Sequence, residues 1–225
     1  MTFSIVARCK DTGMFGIAIS SSSPAVAARC SWARAGVGAV ATQNITDPSL
    51  GMRGLDAMSA GLSAERALRQ LEKTSSHINY RQLLAVDSHG NTCIYSGTEA
   101  LGIVAESNVE DAASAGNLLD NDTIPEVMIG KFQSTEGHLG DRLIGALQAA
   151  VDAGGEAGPV HSAGLLLVDQ VSWPVAELRC DWLEHDCPIS NVANAWSVYK
   201  PQLVDYLQRA LDPTQAPGYG VPGSE

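Results

Sequence analysis

The sequence predicts an α+β protein built as a four-layer αββα sandwich, two antiparallel sheets packed face to face with helices on both outer sides. Three observations predict it. The elements run strands, two helices, strands, two helices, strands, helix. Strand pairs follow one another across short turns, as antiparallel neighbours do. Each helix carries one apolar stripe and the strands are apolar as well, so both must be covered by another layer.

Residues 2–9 alternate small or polar Thr2, Ser4 and Val6 against Phe3, Ile5 and Ala7, the two-residue period of a strand. Lys10-Asp11-Thr12-Gly13 is a turn, and Phe15–Ile19 returns as a second strand. Four serines, Ser20–Ser23, and then Pro24 end it, because proline cannot continue a ladder. A third strand spans Gly36–Gln43, followed by the loop Asn44–Gly51. Leu50–Gly61 reads as a helix, and Ser63-Ala64-Glu65-Arg66 opens another in the manner of a capping box, with Ala67, Leu68 and Leu71 on one face. Arg81–Val86 and Thr92–Ser96 flank the turn Asp87-Ser88-His89-Gly90-Asn91 as a hairpin. Gly102–Ser107 and Ala112–Leu119 are extended, and Thr123–Gln133 and Leu139–Ala153 helical. Ser162–Asp169 is a near-continuous apolar strand of the kind buried on both faces, with Val175–Asp181 as its partner. Asn191–Leu211 forms a last helix, bent before Pro201. Residues 1–212 are expected to form a single domain, and the Pro- and Gly-rich 213–225 a flexible tail.

At 225 residues, 45 % hydrophobic and 17 % charged, the chain has material for a sizeable core and is a poor candidate for disorder. A net charge of −11 leaves no basic patch for nucleic acid or an anionic membrane, so the expected partner is a small-molecule substrate. No apolar run approaches the ~20 residues of a bilayer span, and residues 1–20 lack the pattern of a signal peptide. The protein is therefore expected in the cytoplasm. Its five cysteines, scattered and odd in number, suit reduced thiols. Ala-rich helices and open sheet edges leave room for a homodimer.

Thr2 is the residue with the most chemical content. A small residue after an initiator Met permits removal of that Met, leaving one residue with both a hydroxyl and a free α-amine. The amine has an ordinary pKa of about 7.7–8.0, suited to taking the hydroxyl's proton near neutrality. Against this stands the plain reading that Thr2 is only the first residue of a strand.

The succession Thr2–Arg8, Trp32–Gln43, Arg53-Gly54-Leu55 and Gly61–Ala64, with Gly116-Asn117-Leu118-Leu119 and the stretch from Gln148 to Gly155, resembles the domain-of-unknown-function family numbered 1028. The resemblance covers roughly residues 2–180. It implies an N-terminal nucleophile (Ntn) hydrolase-like αββα sandwich, in which the first residue after processing attacks an amide carbonyl and its amine serves as base. That role falls on Thr2. The implied activity is amide hydrolysis without a cofactor, and the alternative is a catalytically silent scaffold that binds a small ligand or a partner subunit.

Acyl transfer needs donors for the developing oxyanion. Gln43 and Asn44 leave the third strand at the end where such a site would lie, and Asn117 is a further candidate. Their alternative roles are an Asx turn at Asn44 and a strand-end cap at Asn117. The hydroxyls of Ser21, Ser22 and Ser23 could relay the Thr2 proton, with Ser22 taken as a substrate contact. Arg34 could clamp a substrate carboxylate, unless it is a surface arginine. Cys180, His185 and Cys187 are zinc-type ligands close in sequence, but they lack a paired CxxC and a fourth ligand, so no metal site is expected.

Overall fold

The hairpin expected at the start of the chain forms β1 (Thr2–Arg8) and β2 (Phe15–Ser21), turning at Gly13, whose φ of 78° suits a residue without Cβ. This computed structural model describes residues 1–221, so the end of the expected tail, 222–225, lies outside the described residues. β1 is central to a six-stranded antiparallel sheet. It pairs on its other side with β8 (Ala112–Leu119), which pairs with β7 (Ile103–Val109). β2 pairs with β9 (Ser162–Val168), and β10 (Ala176–Cys180) closes that edge. The second sheet has four strands in the order β3 (Ser31–Arg34), β4 (Gly38–Asn44), β5 (Arg81–Asp87) and β6 (Thr92–Ser96).

The alternation in β1 sorts its side chains between two layers. Phe3, Ile5 and Ala7 point away from the second sheet into a core shared with α4 (Ile124–Ser134) and α5 (Leu139–Asp152). Val6 points inward, where it meets Ile17, Ala39, Leu84 and Ala113 between the sheets. On the far side, α2 (Ser49–Ser59) and α3 (Ala64–Thr74) place Leu50, Leu55, Leu68 and Leu71 over Val40, Leu83 and Ala85. Ser63 caps α3 as expected, its hydroxyl accepting from the Arg66 N–H. The layers are therefore helix, sheet, sheet, helix.

Two stretches differ from the expectation. A five-residue helix, α1 (Val26–Cys30), and the short β3 occupy the stretch between Pro24 and Gly36, for which the sequence pattern predicts no element. A one-turn helix is too short for a 3.6-residue period to register, and β3 is held by pairing with β4 rather than by its own pattern. The last helix is interrupted. α6 (Pro188–Tyr199) and α7 (Leu203–Leu211) are separated by a 3-10 turn at Lys200–Gln202, at the Pro201 that predicted a bend. Beyond α7, the Arg209 guanidinium donates to the carbonyls of Pro217 and Gly218.

The turn between β5 and β6 is tied to α3 by one carboxylate. Asp87 is 3 % exposed and accepts from the backbone N–H groups of Ala64 (3.0 Å), His89 (2.9 Å) and Asn91 (3.1 Å), and from the Asn91 amide. Burial by itself raises a carboxyl pKa. Here the donors favour the charged form more strongly and hold Asp87 below its ordinary value. Replacing Asp87 by Ala is expected to cost about 2–4 kcal/mol at pH 7, because several buried donors lose their acceptor. A depressed pKa stabilises above the unfolded value and is lost as pH falls through the folded one, so the gap should narrow below about pH 4. Urea unfolding of both proteins at pH 7 and pH 3 checks this, and a gap that does not change with pH would argue against the clasp.

Candidate functional site

Thr2 stands directly opposite Ser21 on one side and Asn117 on the other, and Ser21 stands opposite Ser162. Directly opposed residues of antiparallel strands share a face. Thr2, Ser4 and Val6 share it as alternate residues of β1, so the row Ser162, Ser21, Thr2, Asn117 points toward the second sheet. The inter-sheet layer thus changes along β1 from aliphatic at Val6 to polar at Ser4 and Thr2.

A directed chain of hydrogen bonds ends beside Thr2. The Arg29 Nη2 donates to Ser23 Oγ (2.8 Å), and Ser23 Oγ lies 2.9 Å from Ser21 Oγ. Ser21 Oγ donates to the Met1 carbonyl oxygen at 2.5 Å, so the proton between the two serines belongs to Ser23. Thr2 Oγ1 is also 2.5 Å from that carbonyl oxygen and 3.3 Å from Ser21 Oγ. Donors polarised from a guanidinium therefore converge on an amide oxygen next to the Thr2 hydroxyl. His161 supports the strand behind them. Its backbone N–H donates to the Ser21 carbonyl and its ring stacks on Trp182.

Below the row, buried amides bridge the sheets. Ser4 Oγ donates to Gln43 Oε1 (2.7 Å), and Gln43 Nε2 donates to Gln82 Oε1 (2.8 Å) and the Ala115 carbonyl (3.1 Å). Gln82 Oε1 also accepts from Asn117 Nδ2 (3.1 Å), while Gln82 Nε2 donates to Ser96 Oγ and the Gly116 carbonyl. Both Gln43 N–H groups are committed, so its side chain has none left for an oxyanion. Asn117 Oδ1 is buried and has no partner among the described residues, which leaves one acceptor on Thr2's own face.

Glu156 closes the end of the site. Its backbone bridges to Leu119 at the end of β8, and its Oε2 accepts from the Ser22 N–H (3.0 Å) just past β2. It therefore spans the gap between the two strands that flank β1, in line with the start of β1. The residue is 5 % exposed, Oε1 has no partner, and no salt bridge to a basic side chain is present among the described residues. Burial pushes its carboxyl up to about 7, opposed by the chain's N-terminal amine and the hydrogen bonds from Ser22.

The expected residues are only partly brought together. Thr2, Gln43 and Asn117 converge, and Ser22 joins through its backbone N–H on Glu156. Asn44 is at the right end, but its amide ties loops together, donating to the Tyr80 carbonyl and accepting from the Leu101 N–H, in a residue with φ 69°. Arg34 is taken away from Thr2. It pairs with Asp56 and lies opposite Gly38, five residues from Gln43 and so roughly 17 Å along the strand. The guanidinium near the site is Arg29, delivered by the helix α1 that the sequence pattern missed. Glu156 was also missed, although a lone acid between Gly154-Gly155 and Gly158 is a usable clue. Among the described residues, no three of His, Cys, Asp and Glu are gathered to hold a metal ion, Cys180, His185 and Cys187 included.

Glu156 makes a titration prediction. The folded carboxyl keeps its proton to about pH 7 while the unfolded one releases it near 4.5, so the fold loses stability as pH rises through that window. Glu156→Gln should match the parent near pH 4.5 and exceed it by about 1–3 kcal/mol above pH 7. Thermal unfolding at both pH values reads this, and a Gln variant weaker at pH 8 would contradict it.

No curated protein matches the chain. Among solved structures, protein SPO2555 from Silicibacter pomeroyi, described with the family model DUF1028, aligns with TM-score 0.85 and 26 % identity over 92 % of this chain and 94 % of its own. Anbu (Gly-1) mutant from Hyphomicrobium sp. strain MC1 aligns with TM-score 0.42 and 11 % identity over 91 % and 97 %. Anbu (ancestral beta-subunit) from Yersinia bercovieri aligns with TM-score 0.39 and 10 % identity over 97 % and 100 %. The model of one family covers residues 2–192, which hold β1 to β10 and the start of α6, and the chain belongs to that family, the family of unknown function DUF1028.

Proposed function

We propose that the protein is an Ntn-type amidohydrolase that cleaves an amide bond in a small polar substrate through Thr2, freed by removal of Met1. The observation that carries this reading is the Met1 carbonyl, an amide oxygen held at 2.5 Å by both the Ser21 and the Thr2 hydroxyls. An amide entering beside Thr2 would meet the same donors.

With Met1 gone, the Thr2 α-amine is the base. It takes the Oγ1 proton as Oγ1 attacks the substrate carbonyl, and the oxyanion that forms is met by the Ser21 hydroxyl, itself held by Ser23 and Arg29. The C–N bond breaks, and the leaving nitrogen takes the proton from the Thr2 ammonium. Water then attacks the ester on Oγ1 as the amine takes its proton; the C–Oγ1 bond breaks, the amine returns that proton to Oγ1, and the acid is released. Asn117 Oδ1, buried and without a partner, is an acceptor on the same face for the Thr2 ammonium. Gln43 and Gln82 act as positioning residues for Asn117 and Ser4. No cofactor enters the scheme.

A second reading, a silent scaffold, has two observations in its favour. Thr2 is only 5 % exposed, and a cavity of about 540 Å³ lies at the opposite end of the second sheet, beside Val37, Met58 and Asp87. The Met1 side chain lies over the Gly158 backbone, and in the hydrolase reading the loss of Met1 is what frees the Thr2 amine.

Intact mass of the purified protein, followed by hydrolysis of a panel of small amides, separates the readings. A chain beginning at Thr2 should turn over at least one amide. Thr2→Ala should abolish that turnover, Thr2→Ser restore part of it, and Ser21→Ala lower kcat by about 100-fold through loss of one oxyanion donor. Retained Met1, or turnover indifferent to Thr2→Ala, would leave the scaffold reading in its place.

A further inference from the structure

The protein carries a stand-in for part of a substrate. Met1 is an aminoacyl group whose carbonyl rests on the Ser21 hydroxyl and whose side chain lies against Gly158, where an added Cβ would stand 3.1 Å from the methionine methyl. Glu156, in the gap between β2 and β8 and in line with the start of β1, feels the charge of the Met1 α-amino group without pairing with it. Each part of an α-aminoacyl group has a counterpart: a hydroxyl for the carbonyl, an open backbone for the side chain, and a buried carboxyl oxygen without a partner for the ammonium.

We infer that Ser21, Glu156 and Gly158 form a subsite for an α-aminoacyl group, so that the bond cleaved joins an amino acid's carbonyl, its α-amine free, to a leaving amine. The inference rests on the Thr2 hydrolase reading and adds the substrate class to it. Glu156 is the specificity determinant. A buried carboxyl oxygen without a partner favours a cation that can enter and disfavours an uncharged acyl chain, which would leave it buried and unpaired. Ser22 fixes the carboxyl through Oε2, which leaves Oε1 for the ligand. Glycine at 158 leaves room above the backbone for the far end of the ligand's side chain, where the methionine sulfur and methyl lie.

Calorimetric titration of the chain beginning at Thr2, at pH 7, with L-methioninamide and with N-acetyl-L-methioninamide tests this. The free-amine probe is expected to bind at least 10-fold more tightly, and Glu156→Gln to erase the difference. Gly158→Val is expected to weaken methioninamide while sparing glycinamide, a result independent of how Glu156→Gln folds. Equal binding of the two probes, binding of neither, or a preference that survives Glu156→Gln overturns the inference. Turnover is read separately. Thr2-dependent hydrolysis without preference for the free amine would leave the hydrolase standing and remove the aminoacyl subsite. Amine-selective binding without turnover would keep the subsite and remove the hydrolase.

Discussion

The register of β1 between β2 and β8 is the constraint on which the site depends. Opposing Thr2 to Ser21 and to Asn117 aims three polar side chains at one point between the sheets. A slip of one residue would turn Thr2 and Ser4 toward α5 and drive Phe3 into the inter-sheet layer. Such a slip is strongly opposed, because Phe3, Ile5 and Ala7 are fully buried on the helix side and Val6 is fully buried between the sheets. Apolar packing therefore fixes where the hydroxyl of Thr2 points, although Thr2 contributes little to that packing.

The same sandwich holds two kinds of polar burial. Gln43 and Gln82 are fully buried and have their hydrogen-bonding groups matched across the sheets, which makes them structural ties. Asn117 Oδ1 and Glu156 Oε1 are buried without partners within a short reach of Thr2. Unmatched acceptors lower stability, and folded proteins retain few of them away from places that bind something. Their position around the start of β1 coincides with the directed donor chain from Arg29 through Ser23 and Ser21. Donors on one side and acceptors on the other make a site polarised along the amide bond that occupies it.

Much of this was legible from residue pattern. The alternation of Thr2, Ser4 and Val6 against Phe3, Ile5 and Ala7 separated the two faces of β1, and turn residues located the hairpins at Gly13 and at Asp87–Asn91. Thr2 stood out because one residue type carries both nucleophile and base. Arg34 was legible as a candidate because it flanks an evident strand, whereas Arg29 lies in a helix too short to leave a period. Glu156 left almost no trace, since a single acid in a glycine-rich stretch gives no hint of what it will face.

The sequence by itself determined the layered α+β architecture, the order of most elements and the candidate nucleophile, because these rest on local periodicity and on one residue's chemistry. Only the tertiary structure decided which residues meet at Thr2. Ser21, Asn117, Glu156 and Arg29 lie 19 to 154 residues away in the chain and are gathered by strand pairing and by loops that cross the sheet end. Convergence of that kind depends on register and on which loop fills the end of β1. Neither is written in any short window of residues.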